Sequence, residues 1–437
     1  MKQFTCSNSK MPIWVDFVPS CWDMTKVKFI AKVVPGATPK STIASFWNGD
    51  IPFVTPADYV TEDHYVGHWA RTITEEGMNS CSTSLLPSNS VIVSNRAPIG
   101  LVAINKIPVC TNQGCKGLVI KSREYSPEYL YRLLSVADDA LNALGNGTTY
   151  QELSGKALSD FVIPKPPLDV QRSIVAFLDS RCKPIDEAIA RHRLIIDKLE
   201  DYRKAVITKA VTKGLDESAP MKDSGIEWIG SMPANWSTTK LKFLCMSHNG
   251  VDYNSQDLCN QNDDNSLFVI RSSNLVNGAV VHGDDVYINK PVPKNMLLRK
   301  GDLVIVRTNG SRRLVGKCAL VTKNEKATAG AFMLICRSSL NPYIYWVLNS
   351  SLLSFHRGHF DTTTINQMSN EMLKNMIIPL PPHEQMIDIM TYLDYKCAAI
   401  NEGVNRQEQV IARLEEYRRS LIFHAVTGRI DCTGGAR

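Results

Sequence analysis

The sequence predicts an α/β (α+β) chain made of two similar units, each a domain of mixed strands and helices followed by a long helix, with the two long helices joined as an antiparallel intramolecular coiled coil. Three observations carry this reading. Residues 126–216 lie on residues 341–431 without a gap, each matching the residue 215 places later, with 28 of the 91 pairs identical and 21 of those within the 54 pairs from Ile163/Ile378 to Asp216/Asp431. At the front of each copy the offset slips to 214, where Trp14, Pro19, Trp22, Lys26, Lys28 and Phe29 match Trp228, Pro233, Trp236, Lys240, Lys242 and Phe243. An apolar stripe at heptad spacing runs through the tail of both copies. A period above 200 residues is far longer than the roughly 20–50 residues of a solenoid repeat, so a whole domain with its appended helix is duplicated. A chain of 437 residues accommodates two such units, each with its own core.

The front part of each unit, about 160 residues long, reads as short strands. Val91-Ile92-Val93 and Leu303-Val304-Ile305-Val306 are β-branched runs closed by the turn-rich segments Ser94–Pro98 and Thr308–Ser311. Strands at Leu118-Val119-Ile120 and Phe332-Met333-Leu334-Ile335 follow, then a helix opened by Ser126-Pro127 or Asn341-Pro342, read as an N-cap with proline at the first helical position. The tail begins after the proline clusters Ile163–Pro167 and Ile378–Pro382, where missing amide donors end the sheet. A short helix is expected from about Asp169 to Cys182, then a long one from about Pro184 to Lys213, with its copy from Ala399 to Gly428. The stripe is Ile185, Ile189, His192, Ile196, Leu199, Tyr202 or Arg203, Val206 and Ala210. In the second copy it is Ile400, Val404, Gln407, Ile411, Leu414, Tyr417 or Arg418, Leu421 and Ala425. Such a stripe must be covered, and the equivalent stripe of the other copy is the natural partner; packing of each helix on its own domain is the alternative. His192 and Gln407, polar and at matching positions, could set the register.

Composition narrows the function. No apolar run approaches the ~20 residues needed to cross a bilayer and the N-terminus lacks a secretory pattern, so a cytoplasmic chain without a membrane partner is expected. The twelve cysteines include no Cys-x-x-Cys pair, and the closest two, Cys110 and Cys115, have no cluster of ligands beside them, which favours ordinary reduced thiols over a zinc site. The net charge of +6 permits a polyanionic partner. Its distribution is sharper: between Lys294 and Lys317 stand Lys294, Arg299, Lys300, Arg307, Arg312, Arg313 and Lys317 against one acid, Asp302.

Taken together these motifs resemble the specificity subunit of type I restriction–modification enzymes, over essentially the full length. In the first unit the resemblance rests on Pro35-Gly36-Ala37-Thr38-Pro39-Lys40, Phe46–Thr55, Asn112-Gln113-Gly114-Cys115-Lys116-Gly117 and the Ile-Pro-x-Pro-Pro junction with Phe177-Leu178-Asp179. In the second it rests on Leu298–Arg307, Ile377–Pro382 and Tyr392-Leu393-Asp394. Two departures stand out. Glu384-Gln385 is present after the second double proline, but Asp169-Val170-Gln171 replaces it in the first copy. The Gly-x-Thr-Pro turn of the first unit has no counterpart in the second, where Asn249-Gly250-Val251-Asp252 stands instead.

The resemblance implies two target-recognition domains, 1–165 and 221–380, each followed by a conserved helical region, 166–220 and 381–437. It implies a non-catalytic DNA-specificity subunit that reads a bipartite, asymmetric double-stranded target and holds two methyltransferase subunits and the restriction/translocase motor subunits. No cofactor is expected on this chain; S-adenosylmethionine, ATP and magnesium would be used by the partners. Because the tails are the parts the copies share, the partner surfaces are expected there, with Glu200/Glu415 and Arg203/Arg418 as candidates beside the simpler reading of solvated salt-bridge faces.

For DNA contact, base edges need side-chain donors and acceptors, and phosphates need cations. The first candidate is Arg307, Asn309, Ser311, Arg312, Arg313 and Lys317, with the shorter first-copy loop Asn95 and Arg96; a solvated basic hairpin is the plainer alternative. The second is Thr148, Thr149 and Gln151 with Thr363, Thr364 and Asn366, equally readable as capped turns. The third is Thr38 and Lys40. Two other classes of function fit the sequence less well. A stand-alone methyltransferase lacks its motif, since Asn341-Pro342-Tyr343 has no second proline, and no P-loop or paired nuclease signature occurs. A coiled-coil adaptor without DNA would differ by failing to retain a specific duplex.

Overall fold

Val91–Ser94 and Leu303–Val306 are each an inner strand of an antiparallel-rich sheet, buried along their whole length. Their residues alternate between two cores, which is why they read as continuous apolar runs rather than half-polar ones. Val91 and Val93 pack with Tyr129, Leu130 and Leu133 of the helix on one face, whereas Ile92 packs with Val54, Leu86 and Val109 on the other. In the same way Leu303 and Ile305 meet Tyr343 and Ile344, while Val304 and Val306 meet Phe268 and Ile270. Each such side chain contributes about 1.5–3 kcal/mol through burial.

The computed structural model describes residues 12, 14–59, 64–145, 151–357 and 367–434. They divide into two units, 1–192 with 409–437, and 193–408. The first unit has a five-stranded sheet in the order Ala31–Pro35, Cys115–Ile120, Val91–Ser94, Val102–Asn105, Tyr65–Val66, beside a smaller sheet where Trp47–Val54 runs parallel to Cys110–Thr111. The second repeats this plan. Met246–Asn249, Met333–Arg337, Leu303–Val306, Cys318–Leu320 and Ala279–Val280 stand in the same order with Leu275–Val276 added at the edge, and Leu267–Ile270 runs parallel to Ala327–Ala329. The strand expected to start at Phe332 starts at Met333, because Phe332 turns outward at 68% exposure.

Both expected interior helices form, at Pro127–Leu134 and Asn341–Leu348, but only one is capped as expected. The Ser126 hydroxyl accepts from Tyr129 N at 3.3 Å. Asn341 does not cap. Its buried side chain donates to the carbonyls of Gly301 and Cys336, both at 2.8 Å, tying the helix to the sheet beneath it.

The tail differs from expectation at its start. The two helices expected on either side of Lys183 are a single helix, Leu168–Lys213, with Pro184 inside it, and its copy runs from His383 to Val426 rather than from Ala399. An interior proline removes one hydrogen bond and crowds the preceding carbonyl, at about 3 kcal/mol. Ile174, Leu178 and Cys182 before it and Ile185 and Ile189 after it share one buried stripe in one core, and that burial offsets the defect. The duplicate has Ala399 at the matching place and no interruption at all.

Each unit takes one end of both long helices. The stripe faces inward as predicted, and the choice left open at its centre falls on arginine twice: Arg203 and Arg418 are half-buried while Tyr202 and Tyr417 are exposed. Within the first unit Arg418 pairs with Asp186, its Nε 2.7 Å from Oδ1 and its Nη2 donating to Oδ2 at 3.4 Å. Within the second, a side chain added at Gly403 would meet Leu199 at 3.5 Å, and Arg203 lies beside Cys397. The later residue of one helix thus meets the earlier residue of the other, so the pair is antiparallel. His192 and Gln407 are each half-buried.

The helices stop at Gly214 and Gly428, with φ of +76° and +77°, where a left-handed residue is needed to turn the chain. Each glycine lies against a proline and a tryptophan, Pro233 with Trp236 and Pro19 with Trp22. These glycines are 214 residues apart, although Thr212 and Thr427 just before them are 215 apart. One residue fewer therefore precedes the second cap, a difference separate from the change of offset between the fronts and the tails, which falls between Phe29/Phe243 and Ser126/Asn341. Among the described residues no helix is long and apolar enough to cross a membrane, and no group of three His, Cys, Asp or Glu side chains could hold a metal ion. Burial pushes the Cys110 thiol up to about 11 and Cys115 to about 12.

Candidate nucleic-acid interface

In each unit the central strand ends in a candidate loop, and three distant segments converge on it. In the first unit Asn95 N donates to Gly114 O at 2.9 Å and Arg96 bridges to Glu152 as an antiparallel pair. Gln113, in the turn before Gly114, is hydrogen-bonded to Thr38. The loop at 95–98, the end of the 145–151 segment and the Thr38 turn, separate candidates in the sequence, are therefore parts of one surface. The two first-unit motifs Pro35–Lys40 and Asn112–Gly117 are packed together by Gly36, where an added Cβ would stand 2.0 Å from Asn112 O.

The second unit repeats the convergence. Thr308 pairs with Gln367, at the position matching Glu152, and Arg307 and Thr308 both donate their amides to Phe332 O, at 2.8 and 3.2 Å. With the Gln367 amide turned so that its oxygen accepts, Arg307 Nε donates to it at 3.0 Å. Gly250 donates to Met333 O as Gly36 does to Cys115 O, and an added Cβ there would stand 2.1 Å from Gly330 O. The Gly-x-Thr-Pro turn thus does have a counterpart in the second unit. What the copies share is the glycine, required because backbone approaches backbone, while Thr38 and Lys40 are replaced.

The predicted residues fall into three groups. Thr38, Lys40, Arg96, Gln151, Ser311, Arg312 and Arg313 are exposed, and Arg307, Asn309 and Lys317 are half-buried. Asn95 is fully buried, with its amide nitrogen donating to Glu152 at 2.8 Å, which makes it a support for Arg96 rather than a surface group. Thr148, Thr149, Thr363, Thr364 and Asn366 lie outside the described residues. Several exposed groups are already engaged. Arg96 pairs with Glu152 at 3.1 Å and Arg313 with Glu200 of the long helix at 3.3 Å. Asn309 donates to Ser272 at 3.2 Å while its carbonyl holds Ser311 N at 2.9 Å, closing an Asx turn.

Beside this loop the second unit has an open cleft of about 610 Å³ lined by Tyr253, Arg271, Ser272, Asn309, Gly310 and Phe332 among others. Arg271 and Phe332 carry chemistry that sequence reasoning missed. Arg271 donates to Asp284 Oδ2 at 2.8 Å, and its Nε is buried with no hydrogen-bond partner among the described residues. Phe332 exposes an aromatic face at the turn equivalent to Gln113-Gly114. A resemblance motif marks that turn only in the first unit, and nothing in the second singled it out. Cations, amides and an exposed ring on one concave end suit a polyanion with base edges.

Known proteins similar to this chain point to one family. Residues 19–200 match the family model described as the type I restriction modification DNA specificity domain. The MjaIX specificity subunit of a type I restriction enzyme from Methanocaldococcus jannaschii is 26% identical over 425 residues, covering 94% of both chains. The EcoBI specificity subunit from Escherichia coli is 24% identical, covering 74% of this chain and 70% of its own. Over its full length the chain is similar to the specificity subunits of type I restriction–modification enzymes. A solved chain from a study of complex assembly and conformational transition in a type I restriction–modification system shares the fold, with a TM-score of 0.60 at 16% identity, covering 94% of this chain and 99% of that one.

Contact between the basic loop and DNA can be tested directly. Arg312→Ala with Arg313→Ala is expected to weaken duplex binding and to lower the slope of log affinity against log salt by about 1 per lost phosphate contact, or to relax one base position if either reads an edge. The exposed Arg313–Glu200 pair is worth at most about 1 kcal/mol, so stability should hardly change. Unchanged affinity and unchanged specificity would mean that the loop faces elsewhere.

Proposed function

We propose that each unit of this specificity subunit reads one half of a bipartite, asymmetric DNA target, that the paired long helices set the spacer between the halves, and that the helical regions dock two methyltransferase subunits and the restriction/translocase subunits. In this reading 1–165 and 221–380 are the recognition domains, and 166–220 and 381–437 the shared helical regions. The observation that carries it is one topology with two different reading ends. Five strands of the larger sheets match in order, yet a short Asn95-Arg96 loop with Gln113 stands in one unit where Arg307–Arg313 with Phe332 stands in the other. Equal frames with unequal contact groups suit two readers of unequal sequences. S-adenosylmethionine, ATP and magnesium belong to the partners, and this chain supplies recognition without catalysis.

Methylation mapping of the host genome tests the proposal. A two-part asymmetric motif with adenines modified on opposite strands should be present, and should vanish when the gene for this chain is deleted. An unbroken motif, or a bipartite one that survives the deletion, would overturn it.

A further inference from the structure

Six residues match between the copies at the offset of 214, and most have a role inside their own unit. Trp14 and Trp228 donate their indole N–H to the carbonyls of Val162 and Ile377, at 3.1 and 3.3 Å. Pro19 with Trp22 and Pro233 with Trp236 close over the helix-capping glycines. Phe29 and Phe243 have no such role: they are 64% and 72% exposed, each on a single helical turn directly after the strand that pairs with the proline junction. Lys28 lies 5.5 Å from the centre of the Phe29 ring, and Lys242 5.0 Å from that of Phe243. Internal packing does not account for an exposed ring kept with the same cation at the same place in both halves, whereas a ligand that comes in two copies does.

Resting on the reading that this subunit holds two methyltransferase subunits on its helical regions, we infer that Phe29 with Lys26 and Lys28, and Phe243 with Lys240 and Lys242, on the recognition domains beside the proline junctions that lead into those regions, are two anchor points that extend this docking, one partner copy on each. A rigid, solvent-facing phenyl ring buries a large apolar area when a partner pocket covers it, which suits an interface anchor. The matching socket is apolar and edged by carboxylates. In the first unit the lysines are held by Asp160 at 3.3 and 2.8 Å, and in the second Asn375 stands at the matching position, so the second anchor presents the more open cations. Identity of the two patches also argues against DNA as the occupant, because the two half-sites are read by groups that differ.

The full-length chain, its methyltransferase partner and a target duplex provide the test, with stoichiometry read by mass photometry. Wild type should carry two partner copies. Phe29→Ala and Phe243→Ala should each leave one tight site and weaken the other roughly 10- to 30-fold, and the double variant should weaken both. Melting temperatures should be unchanged, since neither ring is packed, and Leu258→Ala, an exposed residue without a duplicate, should bind two copies like wild type. A double variant that binds two copies with wild-type affinity would overturn the anchor assignment alone. Loss of duplex affinity with both partners retained would overturn it in favour of a nucleic-acid contact. Wild type that binds no methyltransferase at all would instead sink the reading on which the inference rests.

Discussion

Asp302→Ala is expected to destabilise the second unit by roughly 3–5 kcal/mol, because it strands a partly buried guanidinium. Asp302 lies in the stretch Lys294–Lys317, where it is the lone acid among seven cations. It does not neutralise that cluster. Its carboxylate receives Arg337 in a two-pronged contact, Nε at 2.8 Å and Nη2 at 2.5 Å, and also caps Arg299 N at 2.9 Å; its side chain is 4% exposed and that of Arg337 18%. Arg337 further donates to Leu297 O at 2.7 Å, so the pair ties the strand Met333–Arg337 to the chain entering Leu303–Val306. A domain has about 5–15 kcal/mol in all, and a loss of this size should appear as an early transition in urea with the first unit's transition unmoved. Recognition of half-site two should fade while half-site one persists. Asp302→Leu with Arg337→Met, which removes both charges, should recover most of the stability. A single Asp302→Ala variant whose transition moves by less than about 1 kcal/mol would show the pair to be dispensable.

Removing one heptad from each long helix, in the stretches around Arg193–Leu199 and Glu408–Leu414, is expected to shorten the spacer of the DNA target while leaving both half-site sequences unchanged. Seven residues are ~10.5 Å of helix at ~1.5 Å per residue, and they turn the stripe by nearly two full revolutions, so Ile196-type positions still face inward. Along B-DNA that length is about three base pairs. Three base pairs also rotate the duplex by about a third of a turn, so the shift should be three base pairs at most and one at least. Insertion of a heptad should lengthen the spacer by a like amount. Methylation mapping with each variant gives the spacer directly, and recovery of the wild-type spacer would exclude the helices as its ruler.

Much of the architecture was legible because it is written in periodicity. The β-branched runs, the heptad stripe and the duplicated junction each depend on many residues agreeing, and a single exception cannot mislead. What failed to show were the places where one residue answers to a distant one. Pro184 reads as a helix break, and only the apolar side chains on both sides of it, sharing one core, explain why the helix continues. Asn341 has the composition of a cap but is drawn under the sheet by two carbonyls. Tyr202 and Arg203 fit the stripe equally well, and the structure places the arginine, whose counterpart Arg418 finds Asp186, inside. Of the candidate interface, the separate segments could be named but not their convergence, since Thr38 meets Gln113 across 75 residues. Asn95 and Phe332 exchange the exposure their types suggest: the polar side chain is buried and the aromatic one faces solvent.

The division of the long helices between the units has a consequence for synthesis. Residues 193–408 form one unbroken stretch, so the second unit can close as soon as its last turn leaves the ribosome. The first unit cannot, although it is translated first. Leu421, Ile422, Ala425 and Val426 sit in its core, and the Tyr129 hydroxyl donates to Val426 O at 2.8 Å, a contact between residues 297 positions apart. The N-terminal domain must therefore wait, with an apolar flank uncovered, until nearly the whole chain has emerged, and closure over so long a loop is slow. The nascent protein matures from its middle outward, and any truncation beyond Glu408 would be felt at its beginning.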